Sequence, residues 1–120
     1  NSPKSMKSIK YTLKERKMFD FFRLVIEFHT ICRDVAFYAE KMGISAKYLT
    51  MLMTENSGRS AKEWIVEYTI IELKALLRDS NLEIKEIALR TNFQSNSVMT
   101  RFFREHTGMT PSEYREKFFL

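Results

Sequence analysis

The chain has 120 residues, the size of one ordinary domain or of two small ones sharing a linker. Hydrophobic residues make up 44% and charged residues 29%, a globular rather than a disordered composition. Three Gly and two Pro disfavour sandwiches, barrels and Gly-rich phosphate loops, one Cys forbids an internal disulfide, and no apolar run approaches the ~20 residues of a membrane span.

With no signal peptide and no N-x-[ST] sequon, we expect a cytoplasmic protein. The first residues, Asn1-Ser2, lead us to expect a fragment of something longer. The net charge is +5, but it is unevenly placed. Residues 1–33 hold eight basic and three acidic side chains, whereas the twelve basic and twelve acidic residues of 34–120 cancel. An acidic partner would therefore have to be held by local placement of a few side chains and helix N-termini, not by bulk charge.

Residues 1–11 read as a polar, lysine-bearing linker. Thr12 with Glu15 forms a capping box, and Met18, Phe19, Phe22, Val25, Ile26 and His29 follow helical spacing, predicting an amphipathic helix of about five turns. Asp34 can cap a second helix, Val35–Met42, which Gly43-Ile44-Ser45 ends. Ser45 opens a third, to about Asn56, closed by Gly58. Ser60 with Glu63 starts a long helix to about Arg78. A short helix over Glu83–Arg90, a turn at Thr91–Gln94, a helix from Ser95 to about His106, and a last one opened by Thr110-Pro111 complete the chain. No strand alternation occurs, so the expected fold is all-α with about seven helices.

The strongest signal is an internal repeat. At an offset of 49, Val35, Ala39, Gly43 and Ile44 meet Ile84, Ala88, Asn92 and Phe93. At 50, Leu49, Thr50, Met53, Gly58, Ser60, Glu63 and Trp64 meet Met99, Thr100, Phe103, Gly108, Thr110, Glu113 and Tyr114. One helix-turn-helix is thus written twice, over residues 12–58 and 80–120, with residues 60–79 as a linker helix. Two copies on one rod suit a bipartite binder better than a solenoid, which wants more repeats. Each unit has a small residue where its helices cross (Ala39, Ala88), a residue tolerant of positive φ in the turn (Gly43, Asn92), and an apolar plug after it (Ile44, Phe93).

In the second helix of each unit, Leu49, Leu52 and Met53, and Val98, Met99, Phe102 and Phe103, are expected to face inward. That leaves Lys47, Thr50, Met51 and Thr54 outward in the first, and Ser97, Thr100, Arg101 and Arg104 with Asn96 in the second. Ser, Thr, Asn, Lys and Arg are the groups that read base edges in a major groove, and no acidic residue falls on either stripe. Ordinary solvated faces mix Glu with Lys, as the linker helix does at Glu67, Glu72 and Lys74.

These residues resemble the AraC/XylS family of bacterial transcription regulators over about Val35 to Phe118. The similarity is most specific in Ile87-Ala88, Asn92-Phe93, Arg101-Phe102-Phe103-Arg104 and Gly108-Met109-Thr110-Pro111-Ser112-Glu113-Tyr114-Arg115. In the first unit it rests on Ala39–Ser45, Tyr48-Leu49, Gly58 and Trp64-Ile65. The resemblance implies two helix-turn-helix subdomains on a rigid linker, their recognition helices in major-groove segments about one turn (~34 Å) apart. It also implies transcription regulation, with double-stranded DNA and RNA polymerase as partners, and homodimerisation through an N-terminal sensor domain. Met51, Met53 and Thr54 stand where the family's first recognition helix has Arg, Phe and Lys or Arg, Tyr68 where Arg is frequent, and Asn92 where Gly is usual.

Other chemistry finds little support. Cys32 lacks an adjacent base and reads as a small hydrophobe, and His29 and His106 have no ligand partners at metal spacing. No catalytic triad, paired carboxylates or Walker sequence occurs, so we expect neither enzyme nor cofactor. The alternative to DNA binding is a helical protein–protein module that has kept the fold and lost its DNA contacts.

Overall fold

The computed structural model describes residues 11–119. Seven helices follow in order, and no strand occurs among the described residues: α1 (Leu13–Phe28), α2 (Val35–Met42), α3 (Ala46–Ser57), α4 (Ala61–Asp79), α5 (Ile84–Arg90), α6 (Asn96–Thr107) and α7 (Pro111–Phe118).

The starts are written in the side chains. Thr12 and Glu15, Ser60 and Glu63, and Thr110 and Glu113 close three reciprocal capping boxes, and Asp34, Ser45 and Ser95 each accept an orphan backbone N–H. Each such cap stabilises its helix by about 1 kcal/mol. Glu83 is the exception: it precedes α5 in extended conformation without a side-chain cap, so α5 begins at Ile84.

Two apolar cores hang on α4. The first gathers Phe21, Val25, Tyr38, Ala39, Leu49 and Met53 around Ala61 and Ile65. The second gathers Ile87, Ala88, Met99, Phe103 and Tyr114 around Ile70, Leu73 and Leu77. Burying each of the larger side chains stabilises by about 1.5–3 kcal/mol. Thr69 lies between the two groups, buried, its hydroxyl donating to the Ile65 carbonyl at 2.7 Å. At 19 residues, α4 is about 28 Å long, enough to carry one core on each half.

The two turns close alike. Gly43 (φ 70°) and Asn92 (φ 58°) take the left-handed conformation, after which Ile44 N–H donates to Ala39 O at 3.0 Å and Phe93 N–H to Ala88 O at 2.9 Å. Ala39 and Ala88 are buried at the crossings. Ile44 and Phe93 pack against the cores but stay half-buried, so neither is a fully enclosed plug.

The face of α1 differs from the spacing-based expectation. Phe21 is fully buried beside Val25, whereas Phe19 is 48% and Ile26 61% exposed. Met18 and Phe22 remain on the packed side, and His29 is the residue on which the helix ends. Phe19, Phe21 and Phe22 offer two overlapping apolar stripes, and contact with Tyr38 (ring centroids 5.9 Å) selects the one containing Phe21.

The C-terminus of α4 is tied by Arg115. Its guanidinium donates to the carbonyls of Leu77 (2.9 Å), Ser80 (3.2 Å), Leu76 (3.3 Å) and Leu82. One forked cation thus satisfies carbonyls that the end of a helix leaves without partners.

Candidate nucleic-acid interface

In the first unit Leu49, Leu52 and Met53 are buried, which turns Lys47, Thr50, Met51 and Thr54 outward. Lys47 and Thr54 are exposed, Met51 is 45% exposed and Thr50 half-buried. These four line a hollow of about 610 Å³ together with Val35, Ala46 and Glu55. Glu55 lines the same hollow, so the α3 face is not free of acidic residues as its spacing led us to expect: Glu55 follows Met51 by four residues and shares its side of the helix.

In the second unit Met99 and Phe103 are fully buried, while Val98 and Phe102 are only partly so. Asn96, Ser97, Arg101 and Arg104 are exposed and Thr100 is half-buried. Asn96, Ser97, Thr100, Arg101 and Arg104 alone line a hollow of about 310 Å³. The Thr100 hydroxyl donates to Asn96 Oδ1 at 3.3 Å, orienting that amide along the helix surface. The two hollows differ in chemistry: the α3 face mixes one Lys with Met, Val and Ala, and the α6 face is polar and cationic throughout.

The pairing of the arginines separates this face from ordinary surface. Arg23, Arg59, Arg78 and Arg90 each lie within 4 Å of a carboxylate, from Asp20, Glu67, Asp79 and Glu86 respectively. Arg115 is consumed by backbone carbonyls. Among the described residues the exposed Arg16 of α1 also lacks such a partner, but it stands alone, whereas Arg101 and Arg104 lack one side by side on a single helix face. An exposed stripe holding two uncompensated guanidinium groups beside short hydrogen-bonding side chains offers forked donors to anionic or acceptor-rich ligands.

A second set of residues, missed by sequence reasoning, joins the two units. Arg33 donates from Nη1 to His29 O (2.9 Å) and from Nη2 to Asn92 O (3.0 Å), with its guanidinium carbon 3.9 Å over the Phe93 ring centroid. Asn92 Nδ2 returns a bond to Ile31 O at 2.6 Å. Partners 59 and 61 residues apart leave no local pattern to find them by. Cys32 is a half-buried free thiol in the same turn, and Tyr38 Oη donates to its carbonyl at 2.7 Å.

Among the described residues no helix is long and apolar enough to cross a membrane.

A family model described as "Helix-turn-helix domain" matches residues 38–117. The chain is 29% identical over 85 residues to the HTH-type transcriptional activator RhaR of Yersinia pseudotuberculosis, covering 71% of this chain and 29% of that relative's length. Among solved structures, it superposes on an AraC-type transcriptional regulator from Chromobacterium violaceum with a TM-score of 0.73 at 22% identity, covering 85% of this chain and 91% of that one. It also superposes on the DNA-binding domain of the global transcriptional factor AdpA, solved with a target DNA, with a TM-score of 0.71 at 21% identity over 84% of this chain and 90% of that one. Twin bihelical units on a shared helix and a family match over two-thirds of the sequence agree: the chain belongs to the AraC-type helix-turn-helix family.

Proposed function

We propose that this domain binds double-stranded DNA sequence-specifically, with α3 and α6 in successive major-groove segments, and that it thereby regulates transcription. The observation that carries the reading is the α6 stripe: Asn96, Ser97, Thr100, Arg101 and Arg104 form one hollow, and its two arginines lack carboxylate partners among the described residues. Arg101 is assigned to base edges and Arg104 to phosphate, Thr100 and Asn96 to polar base contacts, and Ser97 to the groove wall. On α3, Lys47 is assigned to phosphate, Thr50 and Thr54 to polar contacts, and Met51 to a thymine methyl. The described residues extend 50 Å along their long axis, compatible with two groove segments ~34 Å apart on one DNA face. The AdpA domain, similar in fold, was solved with a target DNA.

As a regulator of this class the protein is a binder, not an enzyme. It works in the bacterial cytoplasm, engages RNA polymerase, and dimerises through a domain outside this chain. A protein–protein role for the first unit alone has one observation in its favour: the α3 hollow is largely apolar, with Val35, Ala46 and exposed Met51 in its lining.

The test is selection of bound duplexes from a random DNA pool, followed by variants on the recovered site. Arg101→Ala should weaken binding by about 1–3 kcal/mol and relax one base position, while Arg104→Ala should weaken all sequences alike and lower the salt slope by about one. An Arg101→Ala protein with unchanged affinity and unchanged sequence preference overturns the assignment.

A further inference from the structure

The two units share α4, yet each core grips a different half of it. Between them sits Thr69, whose hydroxyl bonds back to the Ile65 carbonyl, an arrangement that tends to bend helices. The structure spans that point a second time. The α1–α2 turn of the first unit meets the α5–α6 turn of the second through a reciprocal pair of hydrogen bonds, Arg33 to Asn92 O and Asn92 to Ile31 O. The Arg33 guanidinium lies on the Phe93 ring, and Phe93 in turn packs on Phe102 of α6 (centroids 5.2 Å).

Both sides of this clasp are themselves fixed. Arg33 also bonds His29 O, Tyr38 bonds Cys32 O, and the amides of Ile31 and Cys32 both donate to Phe28 O. On the other side, Asn92 is the left-handed residue that sets the angle between α5 and α6. The contact thus reaches the recognition helix through its own turn. Arg33 is absent from both recognition hollows, so it acts through Asn92 and Phe93.

We propose that Arg33 is a positioning residue that fixes the pose of α6 relative to α3, and so sets the spacing between DNA half-sites that the domain accepts. This deepens the DNA-binding reading above and rests on it. Arg is suited to the role because its planar fork reaches two carbonyls while its face stacks on an aromatic ring; the ammonium of Lys provides neither geometry.

The test has one arm without DNA and one with it. Spin labels at exposed Glu40 (α2) and Glu105 (α6), in a Cys32→Ser background, report the distance between the units by double electron–electron resonance. The parent should show one narrow distance peak, and Arg33→Ala and Arg33→Lys should both broaden or shift it while circular dichroism stays helical. An unchanged distribution in both overturns the clasp, whatever the protein binds. Asn92→Gly keeps the turn and the carbonyl that Arg33 uses but deletes the bond to Ile31, and should broaden the distribution less. Should Arg33→Ala fail to fold, Arg33→Lys and Asn92→Gly carry the test.

The second arm uses the duplex selected by the parent chain, and copies with one or two base pairs added to or removed from its centre. The parent should discriminate sharply against altered spacing. Arg33→Ala and Arg33→Lys should lose about tenfold on the parental spacing and level the differences among spacings, since a loosened pair has a lower effective concentration at its second site. Base preference within the α6 half-site should not move. If Arg33→Lys restores affinity and Arg33→Ala lowers the salt slope by about one, the residue is a phosphate contact and the proposal fails. A broadened distance distribution with unaltered spacing preference also overturns the spacing role. If no duplex is selected at all, the DNA-binding reading fails and the spacing role falls with it, while the distance measurement still decides the clasp.

Discussion

Ser57 and Thr107 do the same work at the ends of α3 and α6. Ser57 Oγ donates to Met53 O at 2.6 Å and Thr107 Oγ1 to Phe103 O at 2.8 Å, and each hydroxyl accepts the N–H two residues on, from Arg59 and Met109. The repeat offset of 50 thus persists down to single hydrogen bonds. They differ in one respect: Ser57 Oγ also accepts Trp64 Nε1–H at 2.8 Å, while the residue matching Trp64 in the second unit is Tyr114.

That difference predicts unequal costs. Ser57→Ala strands the half-buried indole N–H and should destabilise by about 1–3 kcal/mol, against about 1 kcal/mol for Thr107→Ala. Trp64 is the sole tryptophan, so urea unfolding followed by its fluorescence measures the first directly. In a Trp64→Phe background, followed by circular dichroism, the Ser57→Ala cost should shrink. Equal costs in both backgrounds would show that the indole bond contributes nothing.

Arg115 holds the junction between α4 and the second unit through carbonyls 33 to 39 residues away. Lys keeps the charge but cannot fork to the same acceptors, so Arg115→Lys should cost about 2–3 kcal/mol. The loss should be local. Amide exchange in α5–α7 should accelerate while Phe21, Leu49 and their neighbours in the first core keep their protection. Uniform acceleration through both cores would rule out Arg115 as a local tie.

What could be read in advance divides along sequence separation. Capping boxes such as Ser60–Glu63 span three residues, and the spacing of Leu49, Leu52 and Met53 spans one helical turn, so both elements and outward stripes are legible. The burial of Phe21 in place of Phe19 was not, because α1 carries apolar residues on more than one face and only Tyr38 on another helix decides between them. Arg33 and Arg115 were invisible as ties for a related reason. Their acceptors are backbone carbonyls, which every residue possesses, so no side-chain pattern marks the partner. Glu55 was legible in principle: it stands four residues after Met51, so helical spacing puts it on the same face, and a stripe ended at Thr54 stops one residue short of it.

Met51 supplies a gain-of-function prediction for the first unit. It is 45% exposed in the lining of the α3 hollow, so a longer polar side chain there can extend into open space. Met51→Arg should leave thermal stability unchanged and add a guanine preference of about 1–3 kcal/mol at one position in the α3 half of the selected site. Glu55 beside it is the competitor for the new guanidinium, and Met51→Arg with Glu55→Gln should show the larger gain. A selected site with no new guanine in either variant would mean that α3 does not enter the groove.

Tyr38 gives a prediction with pH as the variable. Its ring is buried in the first core, and its hydroxyl donates to Cys32 O beneath the Arg33 turn. Burial raises its pKa above the ordinary 10.0, the Cys32 thiol adding to the shift and the Arg33 charge opposing it. Below pH 10 the hydroxyl is protonated in both folded and unfolded chains, and its contribution to stability is complete. Above pH 10 the unfolded chain releases this proton and the folded chain keeps it, so stability falls with rising pH by up to ~1.4 kcal/mol per unit. Tyr38→Phe has no proton to release. At neutral pH it should cost about 1–2 kcal/mol, because Cys32 O loses its donor. Between pH 10 and 11 the gap between the two proteins in urea unfolding should narrow, since the other titrating groups are common to both. A gap that stays constant across that range would show that Tyr38 ionises as freely in the folded protein as in the unfolded one.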